Sequence, residues 1–107
     1  MNYSHTFDGG TATVYIGGEL DSHTARDTLA YIDDVIDLCM PRTLCLDLSG
    51  LSFSDSSGLA VVLGSYRRMR ELDGGVRLRG VQPQPMKVFR AARIERLIPV
   101  EQGGETA

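Results

Sequence analysis

Hydrophobic residues in this chain switch repeatedly between a period of two and a period near 3.6, and this alternation limits the possible folds more than any other feature. Residues 11–16 are β-branched and aromatic and end at Gly17-Gly18, which predicts a strand. A shorter strand around Tyr3 to Phe7, turning at Asp8-Gly9-Gly10, would form a hairpin with it. Ala25, Leu29, Ile32, Ile36 and Cys39 then recur at helical steps, with Asp21 or Ser22 offering an N-cap oxygen and Pro41 stopping the helix. Residues 43–49 read as a largely buried strand closed by Gly50. A second helix follows Asp55, with Leu59, Val62, Leu63, Tyr66 and Met69 on its core face and Gly74-Gly75 at its end. Val76 to Val81 alternates as a half-wet strand, Pro85 opens a third helix over 86–94, and Leu97 to Val100 makes a last short strand. Strands alternating with helices give an α/β layer in which helices pack on a sheet.

A chain of 107 residues with 42% hydrophobic and 23% charged residues suits one domain, with its core over about residues 3–101 and a polar tail over 102–107. The net charge of −3 is unevenly spread. Residues 1–55 carry two basic side chains, Arg26 and Arg42, against nine acidic ones, whereas residues 56–107 carry nine basic against five acidic. The chain as a whole is not a basic nucleic-acid binder. No stretch approaches the ~20 apolar residues that span a bilayer, and the N-terminal residues show no signal-peptide pattern. Cys39 and Cys45 lie in apolar runs and read as buried thiols, which fits a reducing cytoplasmic setting.

The segment from Leu46 to Leu59 is the most informative. It reads as a buried strand, a polar turn and a helix opening on Ser56, Ser57 and Gly58. The first N–H groups of a helix lack internal partners and carry the positive end of its dipole, so a phosphate on a hydroxyl there would meet free donors. Gly58 removes a side chain and lets another surface approach. The same residues also make an ordinary cap, with Asp55 or Ser56 as the capping group.

Gly18-Glu19-Leu20-Asp21 resembles a signature of anti-sigma factor antagonists of the STAS (sulphate transporter and anti-sigma factor antagonist) class. Leu46-Asp47-Leu48-Ser49-Gly50-Leu51 followed by Asp55-Ser56-Ser57-Gly58-Leu59 resembles the phosphorylation motif of that family, and residues 81–100 resemble its C-terminal part. The resemblance covers about residues 10–101. It implies a mixed β-sheet of about four to five strands with helices packed on it. It also implies a bacterial regulator of the stress-response or sporulation kind, which binds an anti-sigma factor that is itself a serine kinase and so frees a sigma factor. The kinase would modify Ser56, with Ser57 as the alternative and Ser54 a third hydroxyl nearby, and a serine phosphatase would reverse the step. Asp21, Asp55, Ser57, Gly58 and Val61 are the expected partner-binding residues. Phosphate would take the net charge from −3 to about −5. One departure stands out: Arg93 occupies a position where family members often carry glycine.

The remaining readings are weaker. A hydrolase built from Ser56 or Ser57 with His23 and Asp21 lacks a Gly-x-Ser-x-Gly elbow, and Asp21 and His23 are crowded into one strand–helix junction. Lys87 is the sole lysine and follows no phosphate-loop motif, and no metal-ligand cluster is visible, so no cofactor is expected. The rival within the fold is a non-switching STAS subunit of a transport complex or signalling scaffold.

Overall fold

Gly9 and Gly10, both at positive φ (60° and 84°), fold strand β1 (Asn2–Asp8) back antiparallel onto β2 (Thr11–Leu20). The computed structural model describes residues 1–101; the tail expected over 102–107 lies outside the described residues. Helix α1 (Ala25–Cys39), strand β3 (Thr43–Ser54), helix α2 (Ser56–Glu71), strand β4 (Gly75–Arg79), helix α3 (Pro83–Ala91), a 3-10 turn (Ile94–Arg96) and strand β5 (Val100–Glu101) follow in order. The sheet has the order β1-β2-β3-β4-β5, and every pair after the hairpin is parallel. Among the described residues no helix is long and apolar enough to cross a membrane.

The period-two pattern places Ala12, Val14 and Ile16 of β2, Leu44, Leu46 and Leu48 of β3, and Val76 and Leu78 of β4 in one buried cluster. Ile32 and Ile36 of α1, Val62 and Met69 of α2, and Phe89 of α3 complete it. Arg68 of α2 turns toward α1. It reaches Asp33 of α1 at 3.1 Å and also pairs with Asp37, tying together the wet sides of the two helices. His5 of β1 is tied to the Tyr31 hydroxyl of α1 at 2.9 Å. Cys45 is buried, but Cys39 is only half-buried.

On the opposite face of the sheet Tyr15, Asp47 and Arg79 lie side by side across three strands. Asp47 sits mid-strand at 8% exposure. Burial works against its charge, but the Ser49 hydroxyl (2.6 Å), the Ser49 N–H (3.0 Å) and the Arg79 guanidinium (2.9 Å) outweigh it and hold the carboxyl below the usual range. A carboxyl whose pKa is depressed by folding adds stability above its unfolded value of about 3.9, and that contribution is lost as pH falls through the folded value. Stability measured by urea unfolding should therefore fall on acidification below about pH 4, and Asp47→Asn should flatten this fall while lowering stability at pH 7. An unchanged acid slope in Asp47→Asn would remove this residue from the account.

Several boundaries differ from the expectations. Strands β2 and β3 run through Gly17-Gly18 and Gly50 and end at Leu20 and Ser54. Neither Asp21 nor Ser22 is the N-cap of α1; that position is Thr24, without a side-chain cap bond. Helix α3 starts at Pro83 rather than Pro85, and both prolines fit its first turn because N–H groups there have no helical partner. Helix α2 ends at Glu71, and Asp73 at φ 58° takes the left-handed turn usually given to glycine. Gly74 follows because a Cβ there would lie 2.8 Å from the Arg42 carbonyl.

Arg93 also stands at positive φ, 56°. The usual glycine at this position therefore has a backbone reason, and this chain carries the strain of its replacement. A left-handed non-glycine residue costs ~1–2 kcal/mol, partly offset by the lower chain entropy of arginine when unfolded. Arg93→Gly should raise the unfolding free energy by ~0.5–1 kcal/mol, read from the urea midpoint at constant m-value.

Candidate functional site

The site lies where β2 and β3 end together. Strand β3 has 12 residues against 10 in β2, and the surplus is absorbed by irregularities opposite Tyr15–Gly17 and Gly18–Glu19. Gly17 and Gly50 face each other at the first of these; a Cβ on Gly50 would lie 3.3 Å from the Gly17 Cα. Bulges re-aim side chains, and here they bury Leu51 and Ser54 while Ser52 and Phe53 face outward. The strands re-register at Leu20 and Ser54, and the Asp55 N–H donates to the Leu20 carbonyl at 3.2 Å. Asp21 and Asp55 thus leave adjacent parallel strands side by side at their carboxyl ends, where open parallel sheets usually present their ligand-binding loops.

Each aspartate organises its own turn. Asp21 Oδ1 accepts from the N–H groups of His23 (2.8 Å) and Thr24 (3.2 Å), and its carbonyl accepts from Ala25 (2.9 Å) at the start of α1. The His23 N–H, outweighing a small burial cost and joined by Thr24 and by the His23 charge, holds the Asp21 carboxyl below the usual range. The carboxyl is therefore charged at neutral pH. Asp55 is the N-cap of α2, accepting from the Ser57 N–H at 2.7 Å, while its carbonyl accepts from Gly58 at 3.0 Å. Those bonds use donors that the sequence alone leaves free for a phosphate. A phosphate on Ser56 would instead meet a cap already filled by carboxylate.

The serines divide by exposure. Ser56, the first residue of α2, is exposed; Ser57 is half-buried; Ser54 is fully buried, with its hydroxyl donating to the Asp55 carbonyl at 3.1 Å. Ser54 therefore offers no accessible hydroxyl. Two expected partner residues lie below the surface of the free chain. Gly58 is buried, and the surfaces it lets approach belong to this chain: a Cβ would lie 2.0 Å from Ser54 Oγ and 3.1 Å from Leu20 Cδ2. Val61 is 3% exposed and forms part of the floor of a surface hollow of about 370 Å³ between α1 and α2 rather than a projecting contact. Ala25, Arg26, Leu29, Ser57 and Ala60 complete that hollow, which opens beside the serines.

Two residues near the site escape sequence reading. Phe53 is 38% exposed on the last stretch of β3, and only the bulge phase turns it outward. Gln84 of α3 bonds the backbone of Ser54 on both sides, at 2.8 and 3.0 Å, across 30 residues of sequence. A glutamine between two prolines carries no signal of such a contact.

Comparison with known proteins accords with this geometry. Residues 3–107 match the STAS domain family. An anti-sigma F factor antagonist of Paenibacillus polymyxa is 30% identical over 91 residues, covering 85% of this chain and 78% of the relative. One from Lysinibacillus sphaericus is 37% identical over 79 residues, covering 74% and 68%. The anti-sigma factor antagonist SpoIIAA in its unphosphorylated form superposes with a TM-score of 0.79 at 27% identity, covering 97% of this chain and 91% of that one. The Bacillus SpoIIAA in its phosphorylated form gives 0.72, also at 27% identity, with 97% and 95% covered. The chain belongs to the STAS domain family and, within it, to the anti-sigma factor antagonists.

Proposed function

We propose that the unmodified chain binds an anti-sigma factor that is also a serine kinase, freeing a sigma factor, and that phosphorylation of Ser56 ends the complex. In this reading the chain is a substrate and a switch rather than an enzyme, and a serine phosphatase restores the binding form. The observation that carries it is the exposed Ser56 hydroxyl at the first position of α2, beside two turn-forming aspartates and next to the α1–α2 hollow. Ser54 has no accessible hydroxyl and Ser57 is half-buried, so Ser56 is the acceptor best presented to a kinase. The SpoIIAA relative is known in both unphosphorylated and phosphorylated forms, which supports the same chemistry here.

The partner surface comprises Asp21, Asp55, Ser56 and Ser57 with the hollow beside them. A kinase loop inserted there meets a neutral serine flanked by carboxylates before transfer and a dianion afterwards. The test is direct. The anti-sigma factors of the source genome are purified, each incubated with the chain and ATP, and the phosphate is mapped by mass spectrometry. Phosphate on Ser56, absent from Ser56→Ala, is the expected result. No transfer from any of them, with equal binding of wild type and Ser56→Asp, would overturn the switch.

A further inference from the structure

Strand β4 pairs with β3 only as far as Asp47↔Arg79, so among the described residues the last seven of β3 have no strand on that side. Two glutamine side chains from the β4–α3 junction stand in for it. Gln82 Nε2 donates to the Ser49 carbonyl at 2.7 Å. The Gln84 carboxamide does more: its Oε1 accepts the Ser54 N–H at 2.8 Å and its Nε2 donates to the Ser54 carbonyl at 3.0 Å. A primary amide has the donor and acceptor of a peptide group side by side, so this pair of bonds reproduces a strand ladder at a single residue.

Ser54 is the residue where such support matters. It is fully buried, and its neighbour Asp55 caps the helix that begins with Ser56. On the other edge Asp55 is held by the Leu20 carbonyl, and above it Gly58 closes on the Ser54 hydroxyl. The chain just before the acceptor serine is thus gripped from β2, from α2 and, through the Gln84 amide, from α3.

We propose that Gln84 is a positioning residue for the switch: its amide replaces the missing strand at Ser54 and holds the Asp55–Ser56 turn in the form the partner recognises. This rests on the reading of Ser56 as the phosphate acceptor. A turn fixed before binding loses less freedom in the complex, so loosening it should weaken capture by the kinase. The transfer step itself should be spared, because once bound the turn is held in that form by the kinase whichever residue stands at 84.

The test compares wild type, Gln84→Leu and Gln84→Glu, using whichever purified anti-sigma kinase of the source genome phosphorylates the wild-type chain. Leucine removes both bonds at similar size; glutamate keeps an acceptor for the Ser54 N–H and loses the donor to the carbonyl. Gln84→Leu should speed hydrogen exchange of the Ser54 amide at least tenfold and raise KM about tenfold with kcat unchanged, while amides of α1 stay protected. Gln84→Glu should fall between. A KM within twofold of wild type in Gln84→Leu, or unchanged exchange at Ser54, overturns the role of Gln84. If Gln84→Leu does not fold, Gln84→Glu decides: faster exchange at Ser54 with an unchanged KM is the overturning result. Absence of phosphate from wild-type Ser56 defeats the switch reading beneath the proposal, whereas normal modification of Ser56 with unmoved KM defeats the proposal alone.

Discussion

Ser56→Asp is expected to bind the anti-sigma factor at least tenfold more weakly than wild type, and the phosphorylated chain a few hundredfold more weakly, a loss of ~3–4 kcal/mol. The size follows from where the charge lands. Asp21 and Asp55 already flank the position, and Asp21 is held ionised by the His23 and Thr24 N–H groups. The Ser57 N–H is taken by Asp55, so the helix start has little left to offer a phosphate. The new charge therefore stays at the surface proposed to meet the partner, where binding must strip its water and bring the partner against several like charges. Ser56→Ala, by contrast, should bind within about threefold of wild type and accept no phosphate, because it leaves the exposed edge of the turn uncharged. Calorimetric titration of each variant with the anti-sigma factor and a non-hydrolysable nucleotide reads the difference. Equal affinity of Ser56→Asp and wild type would show that charge at this residue does not control the complex.

Much of this was legible in the sequence, for identifiable reasons. The alternation of Ala12, Val14 and Ile16, and the helical spacing of Ile32, Ile36, Val62 and Met69, follow the local period of the backbone, so both strands and helices and most of the core could be read directly. Asp55 as N-cap was also readable, because a cap is a contact between near neighbours in the chain. What was not legible is long-range. Gly17, Gly18 and Gly50 look like strand ends, yet they mark the irregularities through which β2 and β3 continue to the site. Gly58 looks like a place for a partner's surface; only the register Leu20↔Ser54 shows that the chain itself fills the space. Val61, expected as a partner contact and absent from the core face read for α2, proves to be buried. Arg93 shows the reverse case, in which a resemblance marks a departure and the backbone angle supplies its cause.

Gly58→Ala gives the sharpest structural consequence. In an open helix this change stabilises by ~1 kcal/mol, since alanine restricts the unfolded chain and favours helix. Here the added Cβ would lie 2.0 Å from Ser54 Oγ and 3.1 Å from Leu20 Cδ2, so something must move. Ser54 is held by the Gln84 amide and by its own hydroxyl bond to Asp55, and Leu20 is a fully buried core residue. Neither yields freely, and overpacking of this kind costs ~1–3 kcal/mol, enough to exceed the gain in propensity. A net loss of ~1–2 kcal/mol is expected, with a fall in Tm of roughly 5–10 °C. The cause can be isolated by a double-mutant cycle. Ser54→Ala alone should cost ~1 kcal/mol for its lost hydrogen bond, yet in that background Gly58→Ala should cost less than ~0.5 kcal/mol, because the closest atom is gone. Additive costs would place the clash elsewhere. Because the same atoms join the ends of β2 and β3, Gly58→Ala should also part Asp21 from Asp55 and weaken partner binding, and Ser54→Ala should restore binding together with stability. Recovery of stability without binding would mean that the spacing of the two aspartates is not what the partner reads.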